Sequence, residues 1–458
     1  MNKAELRFDR QFVIGEIDPR MKGSFVEHLG RCMYQGIYEP GHPAADRFGF
    51  RNDVKKLIRE LGVTCIRYPG GNFVSGYDWK DGIGPRESRP SRRELAWNTI
   101  ETNQVGTDEF AALCKEIGTE LIMACNLGTG TPRDAGELVD YCRTPGGTAW
   151  SELRKKNGSA EPYDIRTWCL GNEMDGVWQI GALNASDYAK KAKETAKIIR
   201  WTDPGAETIA CGTCTNEIGH MTYGAWDQTV LECAYDEIDY LSLHRYFNYH
   251  ENKQLFYSMN EDITDIPYFF RDLEEYISTI LHACDFVKGK LRKEKQINLS
   301  FDEWGVVAET GAIPGGVKQQ YYAASYSQLD AVIYGGIICT LLNHADRIKI
   351  ACQSLLVNEG GMITTVPGGP AFRQATYWPF HDFSHLVHGV AMKGIANVPE
   401  AETHHHGKQE TLISGASWDE QTKTITLMLA NCDLQHDCEA EIQLTGFGTL
   451  SVPGWSEL

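Results

Sequence analysis

From about residue 20 to residue 375, short apolar runs alternate with segments whose apolar positions recur at helical spacing. That is the pattern of repeated β-α units around a parallel sheet. Eight runs read as strands: Ser24 to His28, Val63 to Tyr68, Glu120 to Asn126, Ile165 to Asn172, Thr208 to Gly212, Tyr240 to Tyr246, Ile297 to Glu303 and Ile348 to Leu356. Between them the helical period is clearest at Asp53 to Leu61, Thr107 to Ile117, Ser186 to Arg200, Phe269 to Lys288 and Gln328 to His344. In the third of these, Asn184 or Ser186 can cap the start, and Tyr188, Ala192, Ala196 and Ile199 share one face. Eight such units close into a (β/α)8 TIM barrel.

The pattern changes after about residue 376. Gln409 to Gly415, Thr422 to Ala430 and Glu439 to Leu444 alternate apolar with polar residues and are separated by polar turns, which predicts an additional antiparallel β-sandwich domain. Ala4 to Ile17 alternates in the same way, so the expected organisation is an N-terminal strand in residues 1–19 that joins this sandwich. A catalytic barrel then follows over 20–375, and a C-terminal β domain, abridged, over 376–458. The apolar stretch Ala331 to Leu342 is too short to span a bilayer and reads as a buried helix.

A chain of 458 residues can bury a full core. Its formal net charge of −18 excludes nucleic acid and anionic membranes as expected partners, because both would be repelled. The first ten residues hold no uninterrupted apolar run of the length a secretory signal needs, so a cytoplasmic location is expected. The 14 cysteines lie within apolar segments, as reduced, buried thiols do. Cys211 and Cys214 have the spacing of a metal or redox pair without a second pair to complete it, and His404-His405-His406 reads as part of a solvated loop. No metal site is expected.

In a closed parallel barrel the carboxyl ends of the strands converge on one mouth. Here they carry Glu27-His28, Arg67 with Gly70-Gly71-Asn72, Asn126, Asn172-Glu173, His244-Arg245-Tyr246, Asp302-Glu303-Trp304 and Gln353. One polar residue after a strand is usually a turn former. Seven agreeing ends point to a site. Two of them bring glutamates, Glu173 and Glu303, that can flank a single bond, and retaining glycoside cleavage needs such a pair about 5 to 5.5 Å apart. Trp97, Trp178, Tyr246 and Trp304 offer flat surfaces for sugar rings, and Asn72, Asn126 and Asn172 offer hydrogen bonds to hydroxyls. His28 and His244 either orient carboxylates or cap strands. No Gly-x-Ser-x-Gly turn supports a serine nucleophile.

These segments resemble glycoside hydrolase family 51, the α-L-arabinofuranosidases of clan A. The resemblance is carried by Gly23-Ser-Phe-Val-Glu-His-Leu-Gly30, Arg67-Tyr-Pro-Gly-Gly-Asn-Phe-Val-Ser-Gly-Tyr77, Trp168-Cys-Leu-Gly-Asn-Glu-Met-Asp-Gly176 and Ser300-Phe-Asp-Glu-Trp304. It implies that Glu173 is the acid/base and Glu303 the nucleophile. By the same resemblance Glu27, Asn72, Asn172 and Tyr246 hold furanose hydroxyls, Trp97 lines the pocket, and Arg67 and His244 position the nucleophile. It further implies an exo-acting retaining enzyme on arabinose-containing oligosaccharides, a homo-oligomer, often a hexamer, and no cofactor. Two departures stand out. Leu355 occupies the place of a glutamine in the family, with Gln353 two residues earlier expected to substitute as a substrate contact, and Arg245 adds an expected cation near the mouth. A different sugar on the same barrel (galactofuranose, xylose or a glucan) and a noncatalytic carbohydrate-binding protein are the alternative readings.

Overall fold

The computed structural model describes residues 1–216, 222–249, 262–307 and 325–458. The first strands are β1 (Asn2–Glu16), β2 (Gly23–Phe25), β3 (Cys65–Tyr68), β4 (Arg92–Glu94), β5 (Thr99–Glu101), β6 (Glu120–Cys125) and β7 (Thr167–Leu170). They are followed by β8 (Glu207–Cys211), β9 (Tyr240–Phe247), β10 (Asn298–Val306), β11 (Ile348–Ser354), β12 (Ile363–Thr365) and β13 (Ala371–Arg373). The last six are β14 (Val390–Asn397), β15 (Glu400–Thr403), β16 (Gly407–Glu410), β17 (Leu412–Asp419), β18 (Thr424–Asn431) and β19 (Cys438–Thr445). The helices are α1 (Asn52–Leu61), α2 (Thr107–Ile117), α3 (Pro132–Arg143), α4 (Ala149–Lys156), α5 (Ala185–Thr202), α6 (Ala225–Ala234), α7 (Ile266–Leu291), α8 (Gln328–Leu342) and α9 (Tyr377–Leu386).

Eight parallel strands close a barrel in the order β10-β11-β2-β3-β6-β7-β8-β9. Local signals fix the helix ends between them. Thr131 caps α3 by accepting from the Asp134 N–H, with Pro132 just inside the helix, and Ser327 caps α8 in the same reciprocal way with Asp330. Gly62 and Gly118 end α1 and α2 in the left-handed conformation.

The barrel floor is tight at Gly23. A β-carbon there would lie 2.6 Å from the Cys65 sulfur, 2.9 Å from the Cys352 sulfur and 2.8 Å from the Ala351 carbonyl oxygen. The strands on either side thus fill the space a side chain would take. Gly23→Ala is expected to cost about 1–3 kcal/mol of stability through overpacking. Urea unfolding monitored by fluorescence checks this, and a variant as stable as the parent would show that the two thiols swing aside freely.

The second unit is a five-stranded sheet in the order β18-β17-β14-β1-β19. Its pairs are antiparallel except β1 with β19, which run parallel. Ala4, Leu6 and Phe8 of β1 pack with Met392, Ala416 and Trp418 on one face. The other face lies against α8, where Gly415 meets the backbone of Cys339. A helix walled by a barrel on one side and a sheet on the other must be apolar nearly all round. This explains the run Ala331 to Leu342, and no helix among the described residues is long and apolar enough to cross a membrane.

The histidine run proves to be the turn of the β15–β16 hairpin. His405 bonds Asp265 through its ring Nδ1 at 2.7 Å, and His406 stacks on Tyr268 at 3.6 Å between ring centres. The hairpin therefore grips the start of α7 instead of standing free in solvent.

Candidate active site

Glu173 and Glu303 meet at the mouth. One oxygen of each, together with a ring nitrogen of His244, lie within 4.8 Å of one another. Glu303 extends from β10, and its Oε1 accepts from the Arg67 guanidinium at 2.6 Å while its Oε2 accepts from the Tyr246 hydroxyl at 2.7 Å. Glu173 follows β7 in a left-handed backbone conformation, φ 43°, that a non-glycine residue adopts at an energetic cost. Its Oε1 lies 2.9 Å from His244 Nδ1, and its Oε2 accepts from the Trp178 indole at 2.7 Å. Each carboxylate is thus fixed at both oxygens.

A local irregularity in β10 builds half of this site. Ser300 pairs with Ser242 and Glu303 with His244 on β9, so three steps along β10 match two along its neighbour. The same excess appears against β11, between Phe301 and Trp304. The extra residue is a β-bulge, which re-aims side chains. Phe301 turns outward against Tyr276 of α7, and Trp304 outward against Tyr334 of α8. Both Asp302 and Glu303 then face inward, where strict alternation would have sent one of them out.

Beneath the glutamates lies a buried charged layer. Arg67, 1% exposed, brings Nε to 3.2 Å from Asp302 Oδ2 and donates to Asn172 Oδ1 at 2.7 Å, besides its bond to Glu303. Burial works against the charge on Asp302, but Arg67, His244 and the Ser242 hydroxyl hold its carboxyl below the usual range. Burial likewise works against a charge on His244. The charge of Glu303 and the hydrogen bonds with Asp302 and Glu173 win, and its pKa is raised to about 10. The imidazolium is therefore present through the neutral range and is lost only as pH rises through that value.

To one side, Glu27 Oε1 accepts from the backbone N–H of Gly71 and Phe73 at 3.1 and 2.8 Å and from the Trp97 indole at 3.2 Å. Burial and the nearby charge of Glu303 push this carboxyl up to about 8 against the Phe73 N–H and the Trp97 indole. Gly71 is where the backbone passes between the acids, since a β-carbon there would sit 2.9 Å from Glu303 Oε1. Trp97 is brought over Glu27 by the turn between β4 and β5, and Glu94 accepts from the Trp97 backbone N–H at 2.6 Å. Asn72 follows directly at the start of a short 3-10 turn. Behind this group, His28 joins the Glu101 carboxylate at 2.8 Å and the Tyr68 hydroxyl at 3.0 Å.

Three sequence expectations are corrected, and the two readings of Trp304, sugar platform or core, are decided for core. Gln353 points away from the glutamates: its amide nitrogen donates to the Tyr334 hydroxyl of α8 at 2.9 Å and its backbone carbonyl accepts from Ser24. Its neighbour Ser354 is the residue that reaches inward, to the Tyr246 hydroxyl at 2.8 Å. Arg245 also faces the helices, paired with Asp272 of α7 at 2.8 Å, and brings no cation to the mouth. Asn126 spends its side chain on the local loop, bonding Tyr77, Thr129 and Gly130. Sequence reasoning named Asp302 at a strand end without giving it a role, and passed over Ser242 and Ser354. Ser242 lies two residues before His244 on one strand, and that spacing was the available signal.

Comparison with known proteins identifies the family. Residues 57–263 match the family described as "Alpha-L-arabinofuranosidase 1 domain", and residues 302–454 match "Alpha-L-arabinofuranosidase C-terminal domain". The chain is 42% identical to the intracellular exo-alpha-(1->5)-L-arabinofuranosidase 1 of Bacillus subtilis, across 99% of this chain and 89% of that one. It is 41% identical to an exo-alpha-(1->6)-L-arabinofuranosidase of Bifidobacterium longum, across 99% and 87%. Among solved structures, a family 51 alpha-L-arabinofuranosidase from Bifidobacterium longum superposes with a TM-score of 0.90 at 37% identity, covering 97% of this chain and 90% of that one. The Thermotoga maritima alpha-L-arabinofuranosidase in complex with arabinose gives 0.82 at 31% identity, covering 97% and 88%.

Proposed function

The chain belongs to glycoside hydrolase family 51, the α-L-arabinofuranosidases, and from that premise we propose that it removes terminal α-L-arabinofuranose from arabino-oligosaccharides by double displacement. Glu303 attacks the anomeric carbon, forming an ester as the glycosidic bond breaks, and Glu173 gives its proton to the departing oxygen. Water then attacks the same carbon and yields a proton back to Glu173, and the ester bond to Glu303 breaks. Two inversions leave the configuration unchanged. Arg67 and Tyr246 hold the nucleophile by one oxygen each, and Glu27, Asn72, Trp97 and Asn172 receive the sugar. No step calls for a cofactor.

The single observation that carries this reading is the approach of the two glutamates to within 4.8 Å at the barrel mouth. A retaining mechanism predicts that arabinose first appears as the α anomer, and proton NMR of early product, before mutarotation, reads this directly. First-formed β anomer would refute the mechanism. A panel of nitrophenyl glycosides tests the sugar, with the arabinofuranoside expected to be cleaved fastest and the galactofuranoside and xyloside slowly. Failure on every glycoside would favour a noncatalytic sugar-binding role. Because the similar relatives are named for both (1→5) and (1→6) linkages, the panel needs both arabinobioses. The names of the Bacillus and other relatives, which call them intracellular, also support a cytoplasmic location. The family's habit of assembly supports a homo-oligomer, a hexamer, which gel filtration with light scattering would size.

A further inference from the structure

His244 is held from both ring nitrogens. Its Nδ1 meets Glu173 Oε1 at 2.9 Å, and its Nε2 lies 3.2 Å from Asp302 Oδ1. An imidazole can donate to two carboxylates at once only when both nitrogens carry hydrogen. Asp302 is fully buried, has no contact with the mouth that is not made through another side chain, and is anchored by the Ser242 hydroxyl and by Arg67 Nε at 3.2 Å. The mechanism above assigns it no part. Yet the β10 bulge that turns Glu303 to the sugar also turns Asp302 inward, directly under His244.

We propose that Asp302 is a positioning residue for the acid/base. Resting on the double-displacement reading, it keeps both nitrogens of His244 donating, so that the ring pins Glu173 in the orientation from which its proton reaches the leaving oxygen. The line Glu173–His244–Asp302 runs from the mouth into the barrel, with two acids sharing one cation. Other groups close the surroundings of this line. Glu303 Oε2 lies 3.7 Å from His244 Nδ1 and Ser242 shares the strand of His244. Arg67 and the thiol of Cys169, at 3.8 Å, face Asp302 from β3 and β7, and its charge also acts on the Cys211 and Cys352 thiols. Of the cations named here only Arg67 balances Asp302 besides the imidazole, and it is already shared with Glu303. Without the Asp302 carboxylate, the inner nitrogen of His244 loses its anionic partner and keeps only the neutral Ser242 hydroxyl at 3.3 Å. His244 then becomes neutral within the working range, and the ring can offer Glu173 either a donor or an acceptor.

The test is Asp302→Asn in the full chain labelled with 15N-histidine, the His244 resonances assigned through His244→Gln. In the parent, both ring nitrogens are expected to carry protons at pH 8. In Asp302→Asn the titration midpoint of His244 should fall by about 1–3 pH units, the effect of losing one adjacent opposite charge. The kcat/KM profile should acquire an ionisation at that same midpoint, and the loss of kcat should exceed any change in KM. Ser242→Ala frees Asp302 Oδ1 for the ring and should leave the midpoint at or above the parent value. A merely structural Asp302 would lower thermal stability and leave the titration and the shape of the pH profile unmoved, and that result overturns the proposal. So does a neutral His244 in the parent at pH 8, a measurement that stands even if Asp302→Asn does not fold. Measuring Glu173→Ala alongside separates the two ideas: if it retains activity on nitrophenyl arabinofuranoside while Asp302→Asn leaves the profile unchanged, the acid/base reading survives and only the Asp302 role falls.

Discussion

Glu303→Ala should lower kcat on every arabinofuranoside by about 10⁴-fold or more, because the variant lacks the atom that forms the first covalent bond. The loss should be the same for good and poor leaving groups, since no pathway to the ester remains. The fold should survive. Arg67 keeps Asp302 and Asn172 as partners, and Tyr246 keeps Ser354, so the truncation leaves no buried charge without a counterpart. Steady-state rates on nitrophenyl arabinofuranoside and an arabinobiose, with thermal unfolding in parallel, check both halves. Activity within tenfold of the parent would mean that another group attacks the sugar.

Glu173→Ala is expected to differ in kind. On an arabinobiose, whose leaving alcohol needs a proton, kcat/KM should drop by about 10²–10⁴-fold. On a nitrophenyl arabinofuranoside the first step needs no proton and should proceed nearly unimpaired. The second step then lacks its base, so the ester accumulates and a burst of nitrophenol precedes a slow steady state. Mass spectrometry would find the arabinosyl adduct on the peptide that contains Glu303. Equal losses on both substrates, with no burst, would reassign Glu173 to sugar binding. The two variants thus bracket the mechanism, since one abolishes both steps and the other separates them.

Much of this site was legible in the chain because it is made of strand ends. An apolar run that stops at Asn172-Glu173, and another at Asp302-Glu303, announces which side chains a closed barrel gathers at its mouth. What escaped notice has definable causes. The period-two rule places Arg245 opposite His244 and Tyr246, and following it strictly would have put that guanidinium on Asp272 of α7 from the start. The same rule fails in β10, where one extra residue brings Asp302 and Glu303 to the same side. No apolar pattern signals such an insertion, so the part played by Asp302 could be seen only in three dimensions. In β11 the inward residue is Ser354, and Gln353 was singled out because it stood two residues before the place where the resembled family carries a glutamine. Trp97 depends on the β4–β5 hairpin, whose strands Arg92–Glu94 and Thr99–Glu101 are too short and too polar to register as strands. The fold was easier to read than the site for a simple reason: eight periodic units reinforce one another, whereas a bulge or a hairpin occurs once.

The strand β1 has a consequence for biosynthesis. It leaves the ribosome well before its sheet neighbours β14 and β19, which begin at residues 390 and 438. At translation speeds of about 5–20 residues per second, roughly 20 to 90 s separate the emergence of Leu6 and Phe8 from the arrival of the strands that shelter them. During that interval an apolar ribbon with unsatisfied edges trails from a barrel that is already assembling. Chaperone demand, and losses to aggregation at high expression, should therefore concentrate on β1, and slower elongation through the region that encodes β14 to β19 would lengthen the exposure.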